Sequence, residues 1–182
     1  MRDRRIQDIV LVALFAALTA VATTIKIPMP TGAFVHLGNS VLLLSVLLLG
    51  YVKGSLAGGL GFAIFDILNG YASEAPYFIL EAFIVGGAAY LAFLYFKKNP
   101  TNVGQLVIIG IVTGIAKVGM TFLKNFVTQL YLGQSTGAAA GLAVAKLPAT
   151  LINVSVTILV VAVLYFPLRN ALKKVAPQVV AS

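Results

Sequence analysis

The chain is 182 residues long, and 60% of it is apolar while only 10% is charged. An ordinary soluble domain carries about a quarter of its residues charged. This composition, with a mean hydropathy of +1.01, therefore excludes a water-soluble globule and makes lipid part of the solvent. The net charge of +8 does not mark a nucleic-acid binder, because no dense basic stripe interleaved with aromatics accompanies it. The absence of cysteine excludes disulfide frameworks, thiolate metal sites and cysteine nucleophiles, and a single histidine leaves little for an imidazole-based metal site.

The basic start MRDRRIQDIV leads into an apolar run that reaches Ile25. That run is longer than the apolar core of a signal peptide and similar segments follow it, so it reads as a retained first span. Six apolar segments follow one another at 6–25, 34–51, 55–68, 77–96, 103–130 and 143–166, separated by KIPMPTG, YVKG, NGYASEAP, KKNPTN and LGQSTGAAAG. The segments are apolar all round, without the alternation of a membrane barrel, and in lipid the backbone must satisfy itself internally, so each is expected to be a helix. The third, short and glycine-rich, is expected to be buried among the others, and the fifth is long enough to tilt. The expected fold is an all-α membrane protein, a six-transmembrane-helix bundle forming one domain over residues 1–182.

An even number of spans places both termini on one side. Nine of the thirteen basic residues fall there, namely Arg2, Arg4, Arg5, Lys53, Lys97, Lys98, Arg169, Lys173 and Lys174, against Lys26 alone on the other. By the positive-inside rule both ends are cytoplasmic. The residues left over, Asp66, Glu81, Lys117, Lys124 and Lys146, lie within or at the edges of spans. A charge in hydrocarbon costs about 2.5–3.5 kcal/mol, so such groups face a bundle interior, a partner or a wet cavity.

Glu81 stands about one turn below the outer end of the fourth span, where an ion pair with Lys117 or Lys124 and a contact to ligand are compatible roles. Lys117, Met120, Lys124 and Gln129 recur at helical spacing on the fifth span, with Thr121 and Asn125 on an adjoining stripe. Which of the two lysines faces inward is left open by the phase of the helix. Asn153 follows Pro148 in the sixth span, where ligand binding and an interhelical hydrogen bond stand nearly level. Asp66 reads as a loop-holding residue through its carboxylate. His36 and Asn39 sit at the start of the second span, beside a proline-rich loop, placed to touch a small polar ring. Phe34, Tyr71, Tyr77, Phe78, Phe122, Phe126 and Tyr131 could stack on such a ring, although an interfacial belt accounts for most of them.

No phosphate-cradling glycine loop, paired carboxylates or Ser-His-Asp set is suggested, so an ATPase on this chain is excluded and no enzyme is expected. The polar residues gather near the outer ends of spans three to six, as in a pocket for one uncharged or zwitterionic small molecule. Ala13 and Ala17, with Ala16 and Ala20 beside them, form small-xxx-small pairs on the first span that suit close approach of another helix.

Across nearly its whole length the chain resembles the substrate-binding S components of energy-coupling factor (ECF) transporters. The resemblance rests on ALFAALTAVA, KIPMPTGAFVHLGNS, GFAIFDILNGYASEAP and KLPATLIN. It is most similar to the type assigned to hydroxymethylpyrimidine or pyridoxine. The resemblance implies a capture subunit of a prokaryotic cytoplasmic membrane that binds a vitamin outside and delivers it by toppling. Its partners would be a transmembrane coupling subunit (T component) and two cytoplasmic ATPases, which use the ATP; no cofactor or metal is expected on this chain. It also implies substrate contacts from Glu81, Lys117, Lys124, Asn125 and Asn153, a lid region contributing Phe34, His36 and Asn39, and docking through Ala13, Ala16, Ala17 and Ala20. The lack of tryptophan weakens the thiamin branch. An S component for thiamin, pantothenate or riboflavin, a self-sufficient small secondary transporter and an integral-membrane enzyme remain the alternatives, although no internal repeat supports the transporter.

Overall fold

A computed structural model describes residues 2–30 and 33–177, with side chains from Arg5 onward. Thr31 and Gly32 of the first loop, and the side chains of Arg2 and Arg4, lie outside the described residues. The helices are α1 (Arg2–Thr24), α2 (Gly38–Leu49), α3 (Tyr51–Leu68), α4 (Ala75–Tyr95), α5 (Val103–Tyr131), α6 (Thr136–Ala145) and α7 (Leu147–Val175). A small hairpin of β1 (Lys26–Pro28) and β2 (Phe34–His36) joins α1 to α2. Four of the helices, α1, α3, α4 and α5, together with the α6–α7 run, are long and apolar enough to cross a membrane, while α2 is a shorter apolar helix.

The five candidate spans and the shorter α2 give the bundle two distinct ends. Lys53 pairs with Asp8 and Arg169 donates to Asn99 at the end that holds the start of α1 and the close of α7. At the other end Lys124 of α5 pairs with Glu74 of the turn before α4, and Asn153 of α7 bonds to β2.

The span predicted over 34–51 divides in two. Residues Phe34–His36 are a strand, paired Lys26↔His36, Ile27↔Val35 and Pro28↔Phe34, and α2 begins only at Gly38. At about 1.5 Å per residue, its 12 residues reach about 18 Å, well short of a hydrocarbon core of about 30 Å. Every residue of α2 except Val41 is buried, because α1, α3, α4 and α7 surround it. Its leucines face protein rather than lipid. The strand is tolerated because its backbone groups pair within the hairpin and with Asn153 rather than meeting lipid.

α2 is thus short and enclosed, while the third predicted span, part of the 18-residue α3, is longer than expected but is buried among its neighbours as its glycines implied, more so than the other candidate spans. YVKG is no break: Gly50, at φ +87°, ends α2 and α3 starts at Tyr51. The glycines of α3 bring backbones together, since a Cβ on Gly54 would lie 2.3 Å from Val46 Cα and one on Gly61 would lie 2.5 Å from the Ala16 carbonyl oxygen. LGQSTGAAAG, predicted as a loop, contains the start of α6, which runs on to Ala145: the Ser135 hydroxyl accepts the Ala138 N–H, and Ala139 and Ala143 of the helix are buried. The last helix starts at Leu147 and runs through Pro167 to Val175, past the expected end at 166.

The alanine ladder of α1 also divides. Ala13 and Ala17 are exposed in the described residues, flanked by exposed Val10, Leu14, Leu18 and Val21. Ala16 is buried against α3, and Ala20 is half-buried.

Candidate functional site

At the hairpin end of the bundle, α2, α4, α5, α7 and β2 enclose a cavity of about 200 Å³. Helical spacing supplies its polar walls. On α4, Tyr77 and Glu81 are one turn apart. On α5, Lys117, Thr121 and Lys124 form one stripe, with Asn125 beside it; Lys146, which caps α7, lies in line with Thr150 and Asn153 of that helix. Lys117 and Lys124 are two turns apart, so both line the cavity and the choice between them disappears.

The Lys117 ammonium donates to Glu81 Oε2 at 2.5 Å, and the Tyr77 hydroxyl lies 3.0 Å from Glu81 Oε1 and 2.9 Å from the Met120 carbonyl. Glu81 is 2% exposed, so a charged carboxylate is held away from water with both oxygens engaged. Lys124 pairs with Glu74. Phe78 is flanked by both cations, with the Lys124 ammonium 4.6 Å and the Lys117 ammonium 5.6 Å from its ring centre.

Asn39 is the contrasting case. It is 8% exposed, yet neither its amide oxygen nor its nitrogen has a hydrogen-bond partner. Buried polar atoms nearly always have one, so this amide at the cavity wall is the side chain least explained by the fold alone.

Asn153 has both ends of its amide engaged: its oxygen accepts the His36 N–H at 2.8 Å and its nitrogen donates to the Phe34 carbonyl at 3.0 Å. It extends β2 as a strand would and ties the hairpin to α7. The opposite edge of the hairpin is held by Lys26, whose ammonium lies 5.1 Å from the ring centres of Phe34 and Phe65 and 5.8 Å from that of Tyr71. Asn125 donates to the Thr121 carbonyl, which leaves its oxygen as an acceptor.

His36 Nδ1 accepts the Gly38 N–H at 3.1 Å, so the neutral ring carries its proton on Nε2. Burial, with Lys117 nearby as a second cause, lowers its pKa from 6.5 to about 3. Its ring packs against Phe34 and edge-on to Phe62.

All eight residues singled out from the sequence, Phe34, His36, Asn39, Glu81, Lys117, Lys124, Asn125 and Asn153, line this one cavity. Tyr77 and Phe78, counted among belt aromatics, line it too, whereas Tyr71 and Tyr131 are exposed. Lys146, noted in the sequence as a charge at a span edge but not as a substrate contact, lines the cavity with Thr150, whose spacing to Asn153 on one helix face was a readable signal. Asp66 does not line the cavity. Its following loop is closed by the backbone, the Tyr71 N–H donating to the Asp66 carbonyl, while carboxylate Oδ2 has no partner. Among the described residues no three His, Cys, Asp or Glu side chains come together as metal ligands.

Comparison with known proteins adds a family. The model described as "ECF-type riboflavin transporter, S component" matches residues 4–174. A Pyrococcus woesei chain described as "Uncharacterized protein in gap 3'region" is 28% identical over 124 residues, 68% of this chain and 77% of that one. No solved structure matches.

Proposed function

We propose, from the premise that the chain belongs to the ECF-type riboflavin transporter S-component family, that it captures a nutrient with a single six-membered ring. S components are the substrate-binding subunits of ECF vitamin transporters, a transporter family and not an enzyme family. They work with a T component and ATPases. The observation that carries the reading is the cavity itself, with a buried Glu81–Lys117 pair and an unpartnered Asn39 beside a void of about 200 Å³ in a bundle otherwise built of apolar helices.

Size narrows the ligand. A cavity of about 150 Å³ accommodates one benzene ring, and pockets for larger, drug-sized ligands start at roughly 300 Å³. The volume here suits one ring with a few polar substituents, of the pyridoxine or hydroxymethylpyrimidine kind. The family's description favours a second reading, riboflavin, whose three fused rings and polyol chain would require the hairpin to lift away from α7.

In this reading the end bearing both termini is cytoplasmic, in keeping with Lys53, Lys97, Lys98, Arg169, Lys173 and Lys174. The cavity then opens outward beneath the hairpin as a lid, in a multi-pass protein of the prokaryotic cell membrane. The exposed Ala13–Ala17 face of α1 is the docking surface for the coupling subunit, which with its two ATPases drives delivery.

Titration calorimetry of the purified full chain against pyridoxine, hydroxymethylpyrimidine, thiamin, pantothenate and riboflavin tests the assignment. Tight binding of a one-ring compound without turnover is expected, with ATP-dependent uptake only when the coupling module is co-expressed. Tight riboflavin binding with no response to one-ring compounds would move the substrate to the second reading, and no binding of any vitamin would sink nutrient capture.

A further inference from the structure

The charges around the cavity do not balance. Three ammonium groups, Lys117, Lys124 and Lys146, share the wall with one carboxylate, Glu81. Glu81 neutralises Lys117, and Glu74 neutralises Lys124. Lys146, at the junction of α6 and α7, has no hydrogen-bond or ion-pair partner among the described residues. One positive charge, on a half-buried side chain, is therefore left without a counter-charge at the cavity wall, where an anionic partner gains a charge-assisted hydrogen bond.

The hydrogen-bonding groups lean the same way. Both Glu81 oxygens are engaged, so the one carboxylate of the wall offers little to a ligand donor. The groups left over are chiefly donors: Lys146, His36 through Nε2 because Nδ1 accepts from Gly38, and Asn39 through its unpartnered nitrogen. Thr150 adds a hydroxyl one turn along from Lys146 on α7. The free acceptors are neutral, the amide oxygens of Asn39 and Asn125 and the Thr150 hydroxyl, which suit a ring N–H but not a second cation.

We propose that the nutrient captured here carries an anionic oxygen, as an ionised ring hydroxyl, a carboxylate or a phosphate, received at the Lys146 end of the cavity. The inference rests on the capture reading above and narrows it. A zwitterionic pyridinol satisfies both Lys146 and an amide oxygen, whereas a neutral pyrimidine alcohol leaves the ammonium without a counter-ion.

The test uses the full chain in lipid-free detergent and matched rings that differ only in the acidic group, pyridoxine against 3-deoxypyridoxine and nicotinate against nicotinamide. The member with the anionic oxygen should bind roughly 10- to 100-fold more tightly, the span of one charge-assisted hydrogen bond. Lys146→Gln should bring that ratio close to one, and Lys146→Arg should keep it, with thermal unfolding confirming that both variants are folded. Equal affinities in the native protein, or a ratio that survives Lys146→Gln, would overturn the inference while leaving nutrient capture intact. Failure of all four compounds to bind would overturn the one-ring reading and this inference together. Repeating the titration in phosphatidylglycerol nanodiscs separates the sources of anion, since a preference lost there through headgroup competition would assign Lys146 to the bilayer and overturn the nutrient assignment.

Discussion

Replacing Glu81 with Gln removes one charge and almost no volume, and it leaves the Lys117 ammonium, 2.5 Å away in the native protein, without its counter-ion. The two side chains are 3% and 14% exposed, so little solvent screening is available. Removing one partner of a buried pair costs about 3–5 kcal/mol. Lys117 borders the cavity and is 14% exposed, which places the expected loss near the lower bound. Glu81→Gln should therefore lower the thermal unfolding midpoint in detergent clearly, although the Tyr77 hydroxyl keeps an amide oxygen as acceptor. Adding Lys117→Met removes the stranded charge and should recover most of that loss, because replacing both members of a buried pair by groups of similar volume is often neutral. Affinity should not recover with it: if the pair meets ligand, the double variant stays weaker by about 1–3 kcal/mol, the scale of a lost buried polar partner. A single variant with unchanged unfolding and unchanged affinity would refute the reasoning. A stable double variant that binds like the native protein would reduce the pair to a strut between α4 and α5.

Asn39→Ala removes an amide with no protein partner, so unfolding stability should hold or rise slightly, while vitamin affinity by calorimetry falls by about 1–3 kcal/mol; equal losses in both would make Asn39 a packing residue. On α1, Ala17→Trp adds bulk to an exposed face and should leave the fold and vitamin binding intact while abolishing co-purification with the coupling subunit. Ala16→Trp drives the same bulk into α3 beside Gly61 and should destabilise the chain itself, so matching behaviour of the two variants would contradict the division of the ladder. His36 has a folded pKa of about 3 against 6.5 when free, so below pH 6.5 the unfolded chain takes up a proton that the folded chain refuses. Stability conferred by this group is complete above pH 6.5 and declines as pH falls toward 3, at up to about 1.4 kcal/mol per pH unit. His36→Asn, which can still accept from Gly38, should flatten the slope of unfolding stability between pH 6.5 and 5, and an unaltered slope would remove His36 as its origin.

The spacing of polar residues on long helices was legible because it obeys a rigid local geometry. Lys117, Thr121 and Lys124 must share a face whatever surrounds α5, and the cost of charge in hydrocarbon decides that the face turns inward. The boundaries at α2 were not legible, because hydropathy is blind to whether an apolar residue meets lipid or protein. Leu42 to Leu49 are as apolar as any spanning segment, and only the enclosure of α2 by four neighbours shows why 12 residues suffice. Phe34 and Val35 were absorbed into that span for the same reason, while their partners in Lys26–Pro28 lie across a loop whose closure leaves no mark on composition. The role of Asn153 was ambiguous on chemical grounds. An amide serves a ligand or a backbone equally well, and only the positions of the Phe34 carbonyl and the His36 N–H show that this one is occupied.

That occupancy bears on where binding energy comes from. The hairpin is fixed to α7 by two hydrogen bonds from Asn153 and to the end of α3 by Lys26 against three aromatic rings, and none of these contacts needs a ligand. The unmet demand lies elsewhere, in the Asn39 amide and the Lys146 ammonium. An unsatisfied buried polar group such as Asn39 destabilises the protein by about 1–3 kcal/mol, and a ligand that pairs with it recovers an amount of that order, whereas the half-buried Lys146 ammonium gains less. In the proposed reading, α2 and the start of α7 therefore add affinity beyond the Glu81–Lys117 pair, whereas the hairpin, anchored independently, governs entry and release.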